Sequence, residues 1–527
     1  MQKQKISTDD AAVLVLILAI IFGTWLRIMP AWIAGFPIND GGMFYTMIED
    51  LQDNHYSLPL FTSYNQLHIP FVYPPLGFYI GAAITDLFKL PSPLPVIQWL
   101  PGILNSLCIP AFYLFAKEVT GNKLQAAFSS LVFSLIPHMT AWFSMGGGLT
   151  RALGAIFMLF ALTHIHRVFA KESKQDIWAA IIFSSLAVIS HTEAPIYTIS
   201  IAIYIWMMKS RSVNGLRNGI LVAAGVLLLI SPWLMWIMNS HGLTPIISAS
   251  QTGLRSTWSV LKLLNIDILT EEPYLDLLGA MGIIGMTLLV AKKSFFIPGM
   301  FVVIFLSHPR SAHTIGNIPL AIAAGFFISQ IFIPLMQQAN NDLGLQNKQI
   351  RYGVLLSVLM LFSYVASNSL FYGNEITNKH VAEPERNAMQ WIVQHTPGES
   401  SFLIITGEPN GFCDSISEWF PTLTKRQSIA TLQGNEWLKN ENFKQFAIAI
   451  QNIQSCGNEG LDCILQASKM FSKDFDYLYI SLKSPTLNCK LNSASPLPQS
   501  LILELEKAPQ FQSVFRSSAV VIFQKNR

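Results

Sequence analysis

The stretch Phe36-Pro37-Ile38-Asn39-Asp40-Gly41-Gly42 follows an apolar run, Ala11 to Met29, and sets a carboxylate where that run gives way to polar sequence. A charge at membrane depth is costly, so an acid at the surface of a many-spanning chain marks a functional site by default. The rest of the chain shows that it is of this kind. Hydrophobic residues make up 51% of 527 residues and charged residues 12%, with a mean hydropathy of +0.41, whereas soluble domains carry roughly 25% charged residues. The composition predicts a polytopic α-helical membrane protein. A net charge of +3 and the lack of a Gly-rich phosphate loop ending in Lys and Ser or Thr argue against nucleic-acid partners and nucleotide chemistry.

Working outward from Asp40, apolar runs recur at Val96-Ala116, Leu124-Phe143, Ala152-Ala170, Ile177-Ser190, Ala194-Met208, Gly219-Met238, Leu277-Ala291, Ser294-Ser307, Ile318-Ile333 and Tyr352-Phe371. With the first run they predict about eleven transmembrane helices. Lys3 and Lys5 precede the first run and no small-residue cleavage site follows it, so it is expected to remain as an anchor with a cytoplasmic N-terminus. Alternate loops carry Lys117 and Lys123, Lys171 and Lys174, Lys209 with Arg211 and Arg217, Lys292 and Lys293, then Lys348 and Arg351. By the positive-inside rule these face the cytoplasm of a plasma-membrane protein. The alternation requires that Tyr73 to Phe88, broken by Pro74-Pro75, stay within a long first outer loop, residues 30–95, at the interface or re-entrant.

Residues 1–373 are thus expected to form the transmembrane domain, and residues 374–527 a soluble extracytoplasmic α/β domain. Its predicted elements are helices at Glu385-Gln394, Phe443-Ile453 and Leu501-Glu506 and strands at Phe402-Ile405, Tyr477-Leu482 and Val520-Phe523. Four of the five cysteines, Cys413, Cys456, Cys463 and Cys489, fall in it, which suits an oxidising exterior and leaves three disulfide connectivities open.

The outer loops collect the residues with chemical potential. Asp40 precedes a predicted helix, Met43 to Leu51, and is either its N-cap or a general base, roles that are compatible. Arg27, Arg151, Arg255 and Arg310 are the outer arginines; at span ends a guanidinium either anchors in the headgroup layer or grips a phosphate bidentately. Arg151 follows Gly146-Gly147-Gly148, and Arg310 follows His308. His191 and Glu193 share a tight turn and could share a metal or a proton, or simply satisfy helix ends. Asn39 and Glu49 flank the Asp40 region, and Glu271-Glu272 offers a weak metal signal. In the terminal domain, Glu418 beside Trp419, and Glu436 beside Trp437, set acids against aromatics, as core residues or as a surface for an acceptor.

The pattern over Gly23 to Leu162 resembles the GT-C superfamily of membrane glycosyltransferases. Arg27 and Asn39-Asp40-Gly41 are similar to the start of the first outer loop in oligosaccharyltransferase catalytic subunits, where the matching Asp is catalytic. Tyr73-Pro74-Pro75-Leu76-Gly77-Phe78-Tyr79 resembles the Pro-containing segment opening the second helix of that loop, and Ile109-Pro110-Ala111-Phe112-Tyr113-Leu114, Lys117-Glu118 and Ile136-Pro137 resemble the next two spans. The chain departs from that pattern in two places. Ser144 to Gly154, where oligosaccharyltransferases carry an acidic metal-binding motif, holds Arg151 but no Asp or Glu, and no Trp-Trp-Asp-Tyr-Gly acceptor motif occurs. The resemblance therefore points to enzymes of the protein O-mannosyltransferase or aminoarabinose-transferase type.

What this implies is transfer of a sugar from a polyprenyl-phosphate or pyrophosphate carrier to a glycan, lipid or protein acceptor by an inverting mechanism. Asp40 would act on the acceptor, with Arg151, Arg310 and Arg27 on the donor phosphate. Asn39, Glu49, His191, Glu193 and His308 would line the site, and Glu418 and Trp419 would meet the acceptor. No cofactor is expected to be required, and a divalent metal stays open. The alternatives are a transporter or flippase of lipid-linked saccharides, which would show paired broken helices in internal repeats, and a non-catalytic glycan-binding assembly partner.

Overall fold

Ser7 opens the first helix: its side chain accepts from the Asp10 N–H, and Asp10 accepts in return from the Ser7 N–H, a reciprocal cap that fixes the helix start. The helix runs Thr8–Ala34 and ends at Gly35, whose φ of 60° lets the chain turn away. Twenty-seven residues reach about 40 Å, enough to cross a hydrocarbon layer of about 30 Å. The structure is a computed structural model that describes residues 7–251, 276–342, 348–471, 473–483 and 498–526. Arg255, Glu271, Glu272 and Cys489 lie outside the described residues.

Among the described residues, Thr8–Ala34, Leu94–Thr120, Gly148–Ala170, Val213–His241 and Ala312–Met336 are long and apolar enough to cross a membrane. A pair bent by 118°, Leu277–Ala291 and Phe296–Ser307, makes up to six. The protein is a multi-pass membrane protein, though the expected eleven equivalent spans give way to a mixture of lengths. The run Leu124-Phe143 is two helices, Lys123–Leu135 and Pro137–Ser144, because Pro137 pushes Ile136 into an extended conformation and interrupts the ladder. Asp176–Val188 and Ala194–Lys209 hold 13 and 16 residues, roughly 20 and 24 Å. Short helices end early, and their connecting turn, Ile189 to Glu193, faces a recess.

Close packing of the bundle uses small residues, as expected where lipid supplies no hydrophobic drive between helices. A Cβ on Gly285 would lie 2.1 Å from the Ala323 carbonyl oxygen, and one on Gly325 would lie 2.6 Å from the Ser129 nitrogen. Between the first and second long helices, the chain forms Gly42–Asp53 and Leu76–Leu87, two short helices that pack on each other through Ile48 and Gly81. A ribbon of β1 (Phe61–Thr62) and β2 (Ile69–Pro70) lies between them.

After helix Lys348–Thr377, the chain builds a five-stranded sheet from β3 (Ser401–Ile405), β4 (Gln427–Ser428), β5 (Tyr477–Ser481), β6 (Phe511–Arg516) and β7 (Val520–Lys525). The order is β4-β3-β5-β7-β6, with β3 parallel to β4 and β5, and β7 antiparallel to β5 and β6. The period of two along a strand divides its residues between two cores. Phe402, Ile404, Tyr477, Tyr479 and Ile522 join the core that continues into the membrane helices, through Trp419 and Phe420 of helix Ser415–Thr424. Leu403, Ile405, Leu478, Ile480 and Phe523 face helices Phe443–Glu459 and Gln499–Lys507. Cys456 and Cys463 form a disulfide, Cys413 is disulfide-bonded as well, and Cys108 is free and buried among the membrane helices.

Candidate functional site

Asp40 lines a cavity of about 700 Å³, in a loop whose backbone is unusual. Asn39 has φ 54° and Gly41 φ 118°, so only glycine suits the second position without strain. The Asp40 carboxylate is held twice: Oδ1 accepts from the Gly147 N–H at 2.8 Å and Oδ2 from Arg151 Nη2 at 2.6 Å. It is therefore not the cap of the helix that follows it, Gly42–Asp53, whose start has no side-chain cap. It caps the Gly148–Ala170 helix instead, where N–H groups and the helix dipole favour an anion.

Two of the three consecutive glycines are explained by that contact, and the third, Gly148, by the Phe143 carbonyl, 2.0 Å from where its Cβ would lie. A Cβ on Gly146 would come within 1.9 Å of the Asp40 carbonyl oxygen, and one on Gly147 within 2.5 Å of Asp40 Oδ2. Arg151 is steadied by the Trp142 ring, 5.4 Å from the guanidinium carbon, and by the Trp142 carbonyl at 3.4 Å.

The C-terminal segment grips the same loop. Trp419 Nε1 donates to the Asn39 carbonyl at 3.0 Å, the Gly41 N–H donates to Glu418 Oε1 at 2.8 Å, and Asn39 Nδ2 donates to the Phe412 carbonyl at 3.1 Å. The Asn39 N–H reaches the Lys379 carbonyl at 2.9 Å. Burial, with the Asp40 charge beside it, raises the Glu418 carboxyl well above the usual carboxylate range.

Across the cavity, His308 Nε2 lies 3.2 Å from Glu193 Oε1, and the Glu193 N–H donates to His191 Nδ1 at 3.3 Å. Burial pushes the Glu193 carboxyl up, but the His308 hydrogen bond and the charges of His191, His308 and Arg310 outweigh it and hold the group below its ordinary range. Burial also pushes His191 down to about 4. Tyr197 fixes the turn by donating to the His308 carbonyl at 2.8 Å. Arg310 stacks over Phe412 at 5.1 Å, and among the described residues no carboxylate pairs with it. The cavity thus offers a held carboxylate, an available guanidinium and a histidine cluster, a set suited to a ligand with an anionic group beside a nucleophile.

This arrangement can be compared with known proteins. The family model described as dolichyl-phosphate-mannose-protein mannosyltransferase matches residues 72–236. Among solved structures, the chain is similar to the Archaeoglobus fulgidus oligosaccharyltransferase in complex with Zn and sulfate. The two are 13% identical with a TM-score of 0.52, over 89% of this chain and 68% of that one. The chain has the GT-C fold. It is also similar to the arabinofuranosyltransferase AftD from Mycobacteria, at 13% identity and a TM-score of 0.51, over all of this chain and 42% of that one. A search of the curated proteins finds no match.

Within this fold, Asp40, Arg151, His191, Glu193, His308, Arg310 and Glu418 all line the same cavity. Three of the expected residues lie elsewhere for clear reasons. Arg27 is fully buried among helices, with Nε on Asn105, Nη1 on the carbonyls of Gly23 and Ser134 and Nη2 on that of Phe133; most of its fork is taken up by protein, and it does not line this cavity. Glu49 pairs with Lys425 at 2.7 Å outside the cavity. Trp419 is fully buried and stands edge-on to Phe36, so it meets the Asp40 loop and not an acceptor. Asn39, a fourth that does not line the cavity, lies just behind Asp40 and ties the loop to the C-terminal segment through its carbonyl, its N–H and its Nδ2.

Sequence reasoning overlooked Gln433, Phe412, Trp142 and His313, which also line the cavity. Nothing in their local pattern marks them, since the fold brings them together from three distant segments. Among the described residues, no group of three or more His, Cys, Asp or Glu is placed to hold a metal ion. Three of the inward carboxylates have partners of their own: Asp40 has Arg151, Glu193 has His308, and Glu418 has Gly41 and Gln433; the fourth, Glu436, keeps one oxygen unpartnered. That donor set does not fit a divalent cation.

Proposed function

We propose that the protein is a glycosyltransferase that moves a sugar from a polyprenyl-phosphate or pyrophosphate carrier to an acceptor at the outer membrane face, with inversion at the anomeric carbon. The observation that carries this reading is the convergence of the held carboxylate of Asp40 and the available guanidinium of Arg310 on one cavity. Each Asp40 oxygen keeps a free lone-pair site after its one hydrogen bond. The acceptor oxygen attacks the anomeric carbon while its proton passes to Asp40. The bond from that carbon to the phosphate oxygen breaks, and its electron pair remains on the phosphate, beside Arg310.

Arg151 orients Asp40 in this scheme, and Glu193 orients His308 toward the donor. Lys117, Lys171, Lys209 and Lys292 fall at the helix ends remote in sequence from the cavity loops. The positive-inside rule then assigns the cavity and the C-terminal domain to the outside and the N-terminus to the cytoplasm. The test uses purified protein in lipid nanodiscs with polyprenyl-phosphate and pyrophosphate sugars, following release of the free carrier and the anomeric configuration of the product. Turnover with an inverted product is expected, and Asp40→Asn should lower it about 10²- to 10⁴-fold. Near-normal turnover in that variant would leave Asp40 a structural partner of Arg151. Movement of intact donor across a vesicle without transfer would make the protein a transporter.

A further inference from the structure

We propose that Gln433, Glu436 and Trp437 form a subsite for a saccharide ring beside Asp40. The biological setting of this subsite rests on the transferase reading; its binding chemistry rests on geometry of its own. The turn that carries it is rigid. Gly434 has φ 86° and leads into the short turn Asn435–Trp437. Asn435 Nδ2 donates to the Thr431 carbonyl at 2.9 Å, and Ser248 Oγ donates to the Glu436 carbonyl at 2.7 Å. The Trp437 ring stands edge-on to Tyr73 with centroids 5.8 Å apart, and the Tyr73 hydroxyl lies 3.3 Å from Thr150 Oγ1. Both rings are therefore fixed before any ligand arrives.

The polar atoms on this wall are of one type. Gln433 is 8% exposed and directs both amide hydrogens into the protein, to the Gly411 carbonyl and to Glu418 Oε2, each at 2.9 Å. Its Oε1 has no partner, and neither has Glu436 Oε2. The wall presents acceptors that need donors. A phosphate brings further acceptors and would leave Gln433 Oε1 without a donor, and an alkyl chain would leave both acceptors unpaired. A sugar ring satisfies all the features at once, with its C–H face on an aromatic ring and its hydroxyls on the acceptors. The links Gln433 to Glu418 and Glu418 to the Gly41 N–H set this ring next to Asp40. The ring could belong to the donor or to the end of a glycan acceptor, and the chemistry recognised is the same.

The experiment titrates full-length protein in nanodiscs with methyl glycosides of hexoses and pentoses and, separately, with a polyprenyl-phosphate sugar, reading heat and tryptophan fluorescence. Saturable binding is expected, weakened tenfold or more by Trp437→Leu and by Gln433→Leu at unchanged melting temperature. Trp437→Phe should keep binding but lose the fluorescence change. Weakening confined to the methyl glycosides assigns the ring to the acceptor, and weakening confined to the lipid-linked sugar assigns it to the donor; either supports the subsite. Binding equal to wild type in both leucine variants, no saccharide binding at all, or displacement by spermidine, which would mark a cation site, overturns it. Turnover is measured in parallel. Its absence with binding that still depends on Trp437 would remove the transferase reading and leave the subsite standing.

Discussion

The indole Nε1 of Trp419 donates to the carbonyl of Asn39 at 3.0 Å, across 380 positions of sequence. With Glu418 on the Gly41 N–H at 2.8 Å, both peptide neighbours of Asp40 are held by one helix of the C-terminal segment. Trp419→Phe keeps an aromatic ring but removes the pyrrole part of the indole with its N–H, leaving a buried carbonyl unpaired and a small void beside it. A hydrogen bond of this kind is worth about 0.5 to 1.5 kcal/mol, with more lost when a buried partner is stranded. The expected result is a fall in kcat of about three- to thirtyfold, with KM for the lipid-linked donor little changed. A rise in KM at constant kcat would show that Trp419 serves binding and not the setting of Asp40.

Gly147→Ala should act on the same carboxylate by sterics. The new Cβ would lie 2.5 Å from Asp40 Oδ2 and 2.7 Å from Arg151 Nη1, so the ion pair must shift. A misplacement of about 1 Å at a reacting group costs on the order of 10²-fold in rate. Turnover per folded molecule, with folding followed by circular dichroism, checks this. Activity within twofold of wild type would mean that the pair can move without consequence.

Arg310→Lys keeps the charge and loses both the planar fork and the stack on Phe412. Donor affinity should fall about tenfold or more, since charge-assisted hydrogen bonds contribute about 1.5 to 3 kcal/mol. Titration of the lipid-linked sugar at saturating acceptor measures it. An unchanged titration would require another cation of the cavity to hold the phosphate.

His191 makes stability depend on pH. Burial lowers its pKa from 6.5 to about 4 in the folded protein. Between those values the unfolded chain binds the extra proton, so stability is complete above pH 6.5 and falls as pH drops toward 4. The full difference amounts to roughly 3 kcal/mol. Glu193, also lowered in the fold, adds a loss in the same acid direction once pH falls below its unfolded value. Melting temperatures from pH 7.5 to 4.5 should therefore decline in wild type and decline less in His191→Gln. Parallel curves for the two proteins would assign the acid loss to other groups.

What could be read from sequence was whatever neighbouring residues decide. Strands expected at Phe402-Ile405, Tyr477-Leu482 and Val520-Phe523 appear as β3, β5 and β7, because alternation along a strand is a local signal. The helix expected at Met43 to Leu51 appears as Gly42–Asp53. Asp40 stood out because an acid after an apolar run is rare, and the triple glycine because so little else explains it. Arg27 looked like its outer neighbours, and only the arrival of Asn105 and the Ser134 carbonyl from two other helices shows that its guanidinium is engaged within the protein. Gln433 carried no signal, since its role depends on Glu418 lying beside it across a turn. The break at Ile136 was written in Pro137, yet hydropathy alone ran through it.

The grip of Lys379, Phe412, Glu418 and Trp419 on residues 39 to 41 also imposes an order on biosynthesis. The ribosome completes the Asp40 loop early and reaches Trp419 only after about 380 more residues, roughly 20 to 75 s later at ordinary elongation rates. Gly147 and Arg151 reach the carboxylate after about 110 residues, but for the rest of that interval the backbone on either side of Asp40 lacks the contacts that the C-terminal segment supplies. A chain halted before the last third would hold the Asp40 carboxylate without the backbone contacts that set its position, so the cavity is finished only when translation nears its end.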